Sequence, residues 1–235
     1  MTTTPSRPGT PLIALISGVP AAIAPASGAV EKALPDAVVW NILDNRLITD
    51  ATERRGVTSQ LEARMRRLIE HAVTAGADAV LITCSLYAHL AAGSYGVPVL
   101  GSDDAAFTQA LDAAAGRIVI VSSVELALED SCRRLSEAAN VRGRDLTVVP
   151  VHVPDAREPA ADGDIARAAE IVRSEIAPVM REDDLLLFAQ YSLSPAARQV
   201  ALRIPHPVVA PPAAAATALA ELLAPHEFTR ESEIR

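Results

Sequence analysis

Short runs of aliphatic and β-branched residues alternate with longer Ala-, Leu- and Arg-bearing stretches along most of the chain. The short runs predict strands at Leu12 to Ser17, Val38 to Leu43, Ala79 to Thr83, Val97 to Leu100, Ile118 to Ser122, Thr147 to Val151, Leu185 to Ala189 and Val208 to Val209. The intervening stretches have helical period, so the pattern is that of parallel strands joined by crossover helices, an α/β protein. The clearest helix runs from about Ser59 to Ala75, with Leu61, Met65, Leu68, Ile69 and Ala72 on one apolar stripe opposite Arg64, Arg66 and Arg67. Gly76 then stands where a left-handed helix terminator belongs.

The second half of the chain echoes the first. Ile13-Ala-Leu-Ile-Ser-Gly-Val19 aligns with Ile118-Val-Ile-Val-Ser-Ser-Val124, Ala79-Val-Leu-Ile-Thr-Cys-Ser85 with Leu185-Leu-Leu-Phe-Ala-Gln-Tyr191, and Pro98-Val-Leu-Gly101 with Pro207-Val-Val-Ala210. The pairs keep one order and a nearly constant offset, which points to an internal duplication. The expected architecture is two pseudosymmetric lobes, each a parallel sheet flanked by helices. The first lobe is placed at 11–112 together with 210–224 and the second at 113–209, with tails at 1–10 and 225–235. Ligands of open parallel sheets bind beyond the carboxyl ends of the strands. The ends carrying Ser17, Cys84, Ser122 and Gln190 are therefore expected to meet in one crevice between the lobes.

Composition narrows the partners. Half of the 235 residues are apolar, enough for a sizeable core, and 21 basic against 29 acidic residues leave a net charge of −8. The basic residues are scattered, so no phosphate-binding face is visible and nucleic acid is not an expected partner. No apolar stretch is long and uninterrupted enough to span a bilayer. Two cysteines in an acidic chain without a secretory leader point to a reducing cytoplasm. Lys32 is the only lysine and lies in a helical stretch, which argues against a pyridoxal phosphate Schiff base. Histidines 71, 89, 152, 206 and 226 show no paired ligand spacing, so no metal is expected. Neither a P-loop nor a dinucleotide glycine fingerprint occurs.

Cys84 is the leading chemical group. It ends a buried strand and precedes Ser85-Leu-Tyr-Ala-His-Leu90, which can open a helix whose N–H donors and dipole lower a thiol from about 8.5 toward neutrality. The alternative is an inert, packed cysteine. Cys132 falls in step with Leu128 and Leu135 and reads as helix packing. Asp44-Asn-Arg46 follows the second strand on the crevice side, where Arg46 can clamp a second substrate carboxylate bidentately; a solvated surface turn is the alternative.

The segments Leu15-Ile-Ser-Gly-Val-Pro20, Ala79-Val-Leu-Ile-Thr-Cys-Ser85, Ile118-Val-Ile-Val-Ser-Ser123 and Leu185-Leu-Leu-Phe-Ala-Gln-Tyr-Ser192, in this order and spacing, resemble the aspartate/glutamate racemase superfamily. That superfamily includes hydantoin racemases, maleate isomerases and arylmalonate decarboxylases. The resemblance implies two pseudosymmetric lobes, no cofactor, and carbon-acid chemistry in which cysteines from the two lobes flank the α-carbon of a small carboxylate. Cys84 matches the first-lobe cysteine, whereas Gln190 stands where the second would fall, and an amide cannot accept a proton near neutral pH. Gln190 can donate hydrogen bonds to an enolate, and Thr83, Ser85, Ser122 and Ser123 can join backbone N–H groups around the substrate carboxylate. Tyr191 or Ser192 can supply a proton, and Ser17 and Pro20 complete the expected substrate-binding set.

Three readings follow. The first is a cofactor-independent racemase or epimerase with Cys84 as acid/base. The second is a one-thiol decarboxylase or related lyase, for which the arylmalonate decarboxylases are a partial analogy because their thiol comes from the second lobe. The third is a binding protein for small acids without turnover. Family members are often dimers, so a homodimer is a further expectation.

Overall fold

The computed structural model describes residues 10–113 and 116–224. Both expected tails, apart from Thr10, lie outside the described residues, as does His226. The first half runs β1 (Leu12–Ser17), a 3-10 turn (Pro20–Ala22), α1 (Ile23–Ala33), β2 (Val38–Leu43), α2 (Arg46–Glu53), α3 (Ser59–Thr74) and β3 (Ala79–Ile82). A 3-10 helix (Ser85–Ala92), β4 (Val99–Leu100) and α4 (Asp104–Ala113) complete it. The second half comprises β5 (Arg117–Ser122), α5 (Glu125–Val141), β6 (Thr147–His152), a 3-10 turn (Pro154–Ala156), α6 (Arg157–Asp162) and α7 (Ile165–Ile176). It ends with β7 (Leu185–Phe188), α8 (Pro195–Ala201), β8 (Val208–Val209) and α9 (Pro211–Leu223). Each of the eight expected strands forms, with the short edge strand β4 beginning at Val99 rather than Val97.

The strands make two four-stranded sheets, ordered β2-β1-β3-β4 and β6-β5-β7-β8, and every pairing is parallel. The registers are equivalent: Ile16 lies opposite Ile82 in one sheet and Val121 opposite Phe188 in the other. Loop contacts repeat the equivalence. Thr83 N–H donates to Ile16 O as Ala189 N–H donates to Val121 O, both at 3.0 Å. Asp44 N–H donates to Ser17 O as Val153 N–H donates to Ser122 O.

Covered sheets need strands that are apolar on both faces, and the sequences LIALIS, AVLI, RIVIVS and LLLF meet that need in the central strands. Alternate residues face opposite layers. Ala14, Ile16, Val80 and Ile82 pack on α2 and α3, while Ile13, Leu15, Ala79 and Leu81 pack on α1 and α9. Val119, Val121, Leu186 and Phe188 pack on α7 and α8, and Ile118, Ile120, Leu185 and Leu187 on α4 and α5. The helix following each fourth strand thus crosses to the other sheet: α4 covers the second and α9 the first. Cys132 packs half-buried in the α4/α5 layer. On α3 the expected stripe is buried at Leu61, Met65, Ile69 and Ala72. Thr58 caps its start by accepting from Leu61 N–H, and Gly76 follows its end with φ of 95°.

A buried ion pair locks the crossing. Asp103, in the turn between β4 and α4, is fully buried and bonded to Arg134 of α5, itself only 9% exposed. Arg134 also reaches Asp104 at 3.1 Å and Asp130 at 3.0 Å and lies over the Phe107 ring. Burial pushes the Asp103 carboxyl up to about 6 even though Arg134 pulls it down.

Arg134→Met would leave the Asp103 charge without its partner and is expected to cost roughly 3–5 kcal/mol at neutral pH. A carboxyl whose folded pKa lies above its unfolded value of about 3.9 contributes stability that is present below that value and lost as pH rises through the folded pKa. The deficit of Arg134→Met is therefore expected to shrink between pH 8 and pH 5, and adding Asp103→Asn should restore part of it at pH 8. Urea unfolding of the three proteins at both pH values checks this; an equal deficit at both would contradict the account.

Candidate active site

The parallel registers deliver the carboxyl ends of β1, β3, β5 and β7 to one edge of each sheet, and the two edges face each other. Ser85 Oγ, at the start of the first-half 3-10 helix, donates across the seam to Ala189 O at the end of β7, 3.1 Å away. Between the edges lies a cavity of about 430 Å³. The Pro20–Ala22 turn bounds one side, and α6, which packs against that turn, bounds the other.

Cys84 lines the cavity, two residues beyond Ile82, and is the N-cap of the 3-10 helix. Gln190 holds the equivalent place two residues beyond Phe188 and lines the same cavity. Their surroundings differ. Beside Cys84 stands Gly18, where an added Cβ would come to 3.3 Å from the sulfur and 3.0 Å from Ile48. The position equivalent to Gly18 is Ser123, whose N–H (2.9 Å) and Oγ (3.0 Å) both donate to Gln190 Oε1. Ser122 Oγ adds a third donor at 3.1 Å. A backbone N–H can only donate, so the atom facing Ser123 N is the amide oxygen. The Gln190 nitrogen then points the other way, donating to Ser192 Oγ at 2.8 Å with one N–H to spare.

Of the residues singled out from the sequence, Pro20, Thr83, Cys84 and Ser85 line the cavity from the first half, and Gln190, Tyr191 and Ser192 from the second. Ser17 is fully buried beneath them, sharing a 2.8 Å hydrogen bond with Thr83 Oγ1. Ser122 and Ser123 are not in the lining; they hold Gln190. Asp44 and Arg46 are outside it as well. Asp44 is bound to Arg64 at 2.6 Å, and Arg46, 71% exposed at the start of α2, pairs with Asp50 one helical turn on. Tyr191 is among the lining residues, but its hydroxyl is buried with no hydrogen-bond partner among the described residues. Burial raises it well above the ordinary phenol value, making it a poor proton donor.

The expectation that the helix start lowers the Cys84 thiol is overturned. The residue is 7% exposed, and loss of solvent pushes the thiol up to about 12. Backbone N–H groups of Leu86 and Tyr87 act in the lowering direction without cancelling the burial, and the Asp103 carboxylate adds to the rise. At neutral pH Cys84 is a thiol, an acid rather than a ready-made base.

Arg157 was not singled out from the sequence, yet it lines the cavity as the first residue of α6. A signal existed: the duplication that directs attention to Arg46 after β2 directs it equally to the segment after β6. Among the described residues no group of three or more His, Cys, Asp or Glu side chains is gathered as metal ligands would be, and no helix is long and apolar enough to cross a membrane.

No protein-family model and no curated protein matches the sequence. Solved structures do match the fold. An aspartate racemase from Picrophilus torridus superposes with a TM-score of 0.68 at 15% identity, covering 91% of this chain and 95% of the other. A glutamate racemase from Bacillus anthracis gives 0.71 at 15% identity, covering 91% and 81%. An allantoin racemase from Klebsiella pneumoniae gives 0.65 at 16%, covering 90% and 86%. This chain has the Asp/Glu racemase fold. Within that fold, the strand-end position holding Cys84 in one lobe holds an immobilised amide in the other.

A thiol near 12 is almost wholly protonated at pH 7.5, whereas an unperturbed thiol near 8.5 is several per cent thiolate. Iodoacetamide should therefore modify Cys84 at least about 100-fold more slowly than a model thiol at pH 7.5, with a rate still climbing beyond pH 10. Peptide mass mapping separates Cys84 from Cys132. A rate that levels off near pH 8 would show an activated thiolate instead.

Proposed function

We propose that the protein is a cofactor-independent isomerase of the racemase or epimerase type, moving a proton at the α-carbon of a small carboxylic acid with Cys84 as the acid/base group on one face. The observation that carries this reading is the thiol placed at a strand end in the interlobe cavity of an Asp/Glu racemase fold, with Gly18 leaving room beside the sulfur. In one direction the S–H proton is first lost to solvent, and the thiolate so formed takes the α-proton while the C–H electron pair enters an enolate that gains a solvent-derived proton on its opposite face. In the other, the α-proton leaves to solvent from the opposite face, the S–H proton passes to the enolate carbon, and the thiolate regains a proton from solvent. The spare Gln190 N–H is available to the enolate oxygen, and fixing the amide beforehand avoids reorganisation as charge develops. On the opposite face the cavity-lining Ser192, whose Oγ accepts from the Gln190 amide nitrogen at 2.8 Å, is assigned the relay of a solvent proton.

A second reading is favoured by the raised Cys84 thiol facing an amide that cannot ionise. A lyase needs an acid on one face only. Breaking the bond from the α-carbon to a departing carboxylate leaves the electron pair on that carbon as an enolate, the Cys84 proton is transferred to it, and the thiolate regains a proton from solvent.

Incubating candidate 2-substituted acids and malonates with the protein in heavy water separates the readings. Loss of configuration with α-deuterium supports the isomerase, a shortened and deuterated product supports the lyase, and binding with neither overturns both. Cys84→Ala is expected to lower turnover by about 10²- to 10⁴-fold while leaving ligand affinity within a few-fold of the parent. Turnover surviving in that variant would remove Cys84 from the chemistry.

A further inference from the structure

We propose that Arg157 is the carboxylate anchor of the cavity, and that the ligand is a monocarboxylic acid with an uncharged, apolar substituent on its α-carbon rather than a dicarboxylic amino acid. The proposal deepens the reading above and rests on it for taking this cavity as the reaction site.

Among the described residues, Arg157 is the one charged side chain in the lining. It is exposed at the cavity's edge, and among the described residues no carboxylate pairs with it. This sets it apart from the other arginine weighed for the role, since Arg46 is held by Asp50 away from the cavity. A guanidinium with its donors unspent can meet a carboxylate through two parallel hydrogen bonds. Arg157 comes from the second half of the chain and Cys84 from the first, so an acid held by the one is presented to the other.

The rest of the lining decides what else the ligand carries. Val19, Ile48, Leu86 and Val124 supply branched apolar surface, and Ala127 and Ala161 leave room between them. Among the described residues no Asp or Glu lines the cavity. An α-ammonium group would give up its hydration there without gaining a counter-charge, and a second carboxylate would find no second cation. An apolar substituent is favoured by the area it removes from water. A cavity of about 430 Å³ has room for a substituent of aryl size.

Binding is measured by calorimetry on the intact chain with 2-phenylpropanoate, its neutral amide, aspartate and glutamate. 2-Phenylpropanoate should bind about 10- to 100-fold more tightly than the amide and than either amino acid, the range expected for a hydrogen-bonded charge pair. Arg157→Met should remove the preference for acid over amide, and Arg157→Lys should restore part of it. Because Arg157 is exposed and has no partner among the described residues, its replacement leaves the core intact, and the acid-to-amide comparison on the unaltered protein needs no variant. Equal binding of acid and amide, tighter binding of aspartate or glutamate, no binding of 2-phenylpropanoate, or unchanged affinity in Arg157→Met would each overturn the proposal. Deuterium exchange at the α-carbon, followed on the same ligands, tests the reaction separately. The expected binding pattern without exchange sinks the isomerase and keeps the anchor, whereas exchange with an unaltered KM in Arg157→Met sinks the anchor and keeps the isomerase.

Discussion

Parallel pairing is the constraint on which the rest depends. Every strand of a parallel sheet ends on the same side, and each connection must travel back over a face before the next strand can begin. Four central strands, apolar on both faces, are thereby compelled to place their last residues along two short edges. Whatever chemistry the chain carries at Ser17-Gly18, Thr83-Cys84, Ser122-Ser123 and Gln190 is gathered there without any loop having to find its own way. The exchange of α4 and α9 between sheets, and the buried Asp103–Arg134 pair at the crossing, hold the two edges face to face.

Within this near-symmetrical frame the two halves have become different instruments. Gly18 and Ser123 occupy equivalent strand-end turns, as do Cys84 and Gln190. Where the turn is glycine, no side chain crowds the neighbouring sulfur, which an added Cβ would approach to 3.3 Å. Where it is serine, two donors from one residue and a third from Ser122 clamp an amide oxygen and so aim the amide nitrogen. One face of the cavity thus presents a buried thiol and the other a fixed amide nitrogen. The asymmetry needs no change of fold, only a hydroxymethyl group on one side and its absence on the other.

Electrostatics reinforce the division. The chain as a whole is acidic, but among the described residues the cavity is lined by no acid and one arginine. The carboxylate nearest the thiol's influence, Asp103, is spent on Arg134 and acts on Cys84 only by raising it further. A sulfur in this setting holds its proton at neutral pH, because burial penalises the thiolate.

Periodicity and self-similarity in the sequence determined the strands, the parallel α/β class, the duplication and the meeting of Cys84 with Gln190. These are repeated local signals, set by what a doubly covered strand must bury and by where its end must fall. Tertiary structure decided the rest. Arg46 and Arg157 are alike as letters after a strand, but Arg46 begins a helix with an aspartate one turn ahead, while Arg157 stands at the cavity's edge with no carboxylate partner among the described residues. The thiol's acidity likewise reversed its expected direction, because the favourable N–H groups are a local property and the removal of water is not. Burial and pairing depend on residues distant along the chain, and no window of sequence contains them.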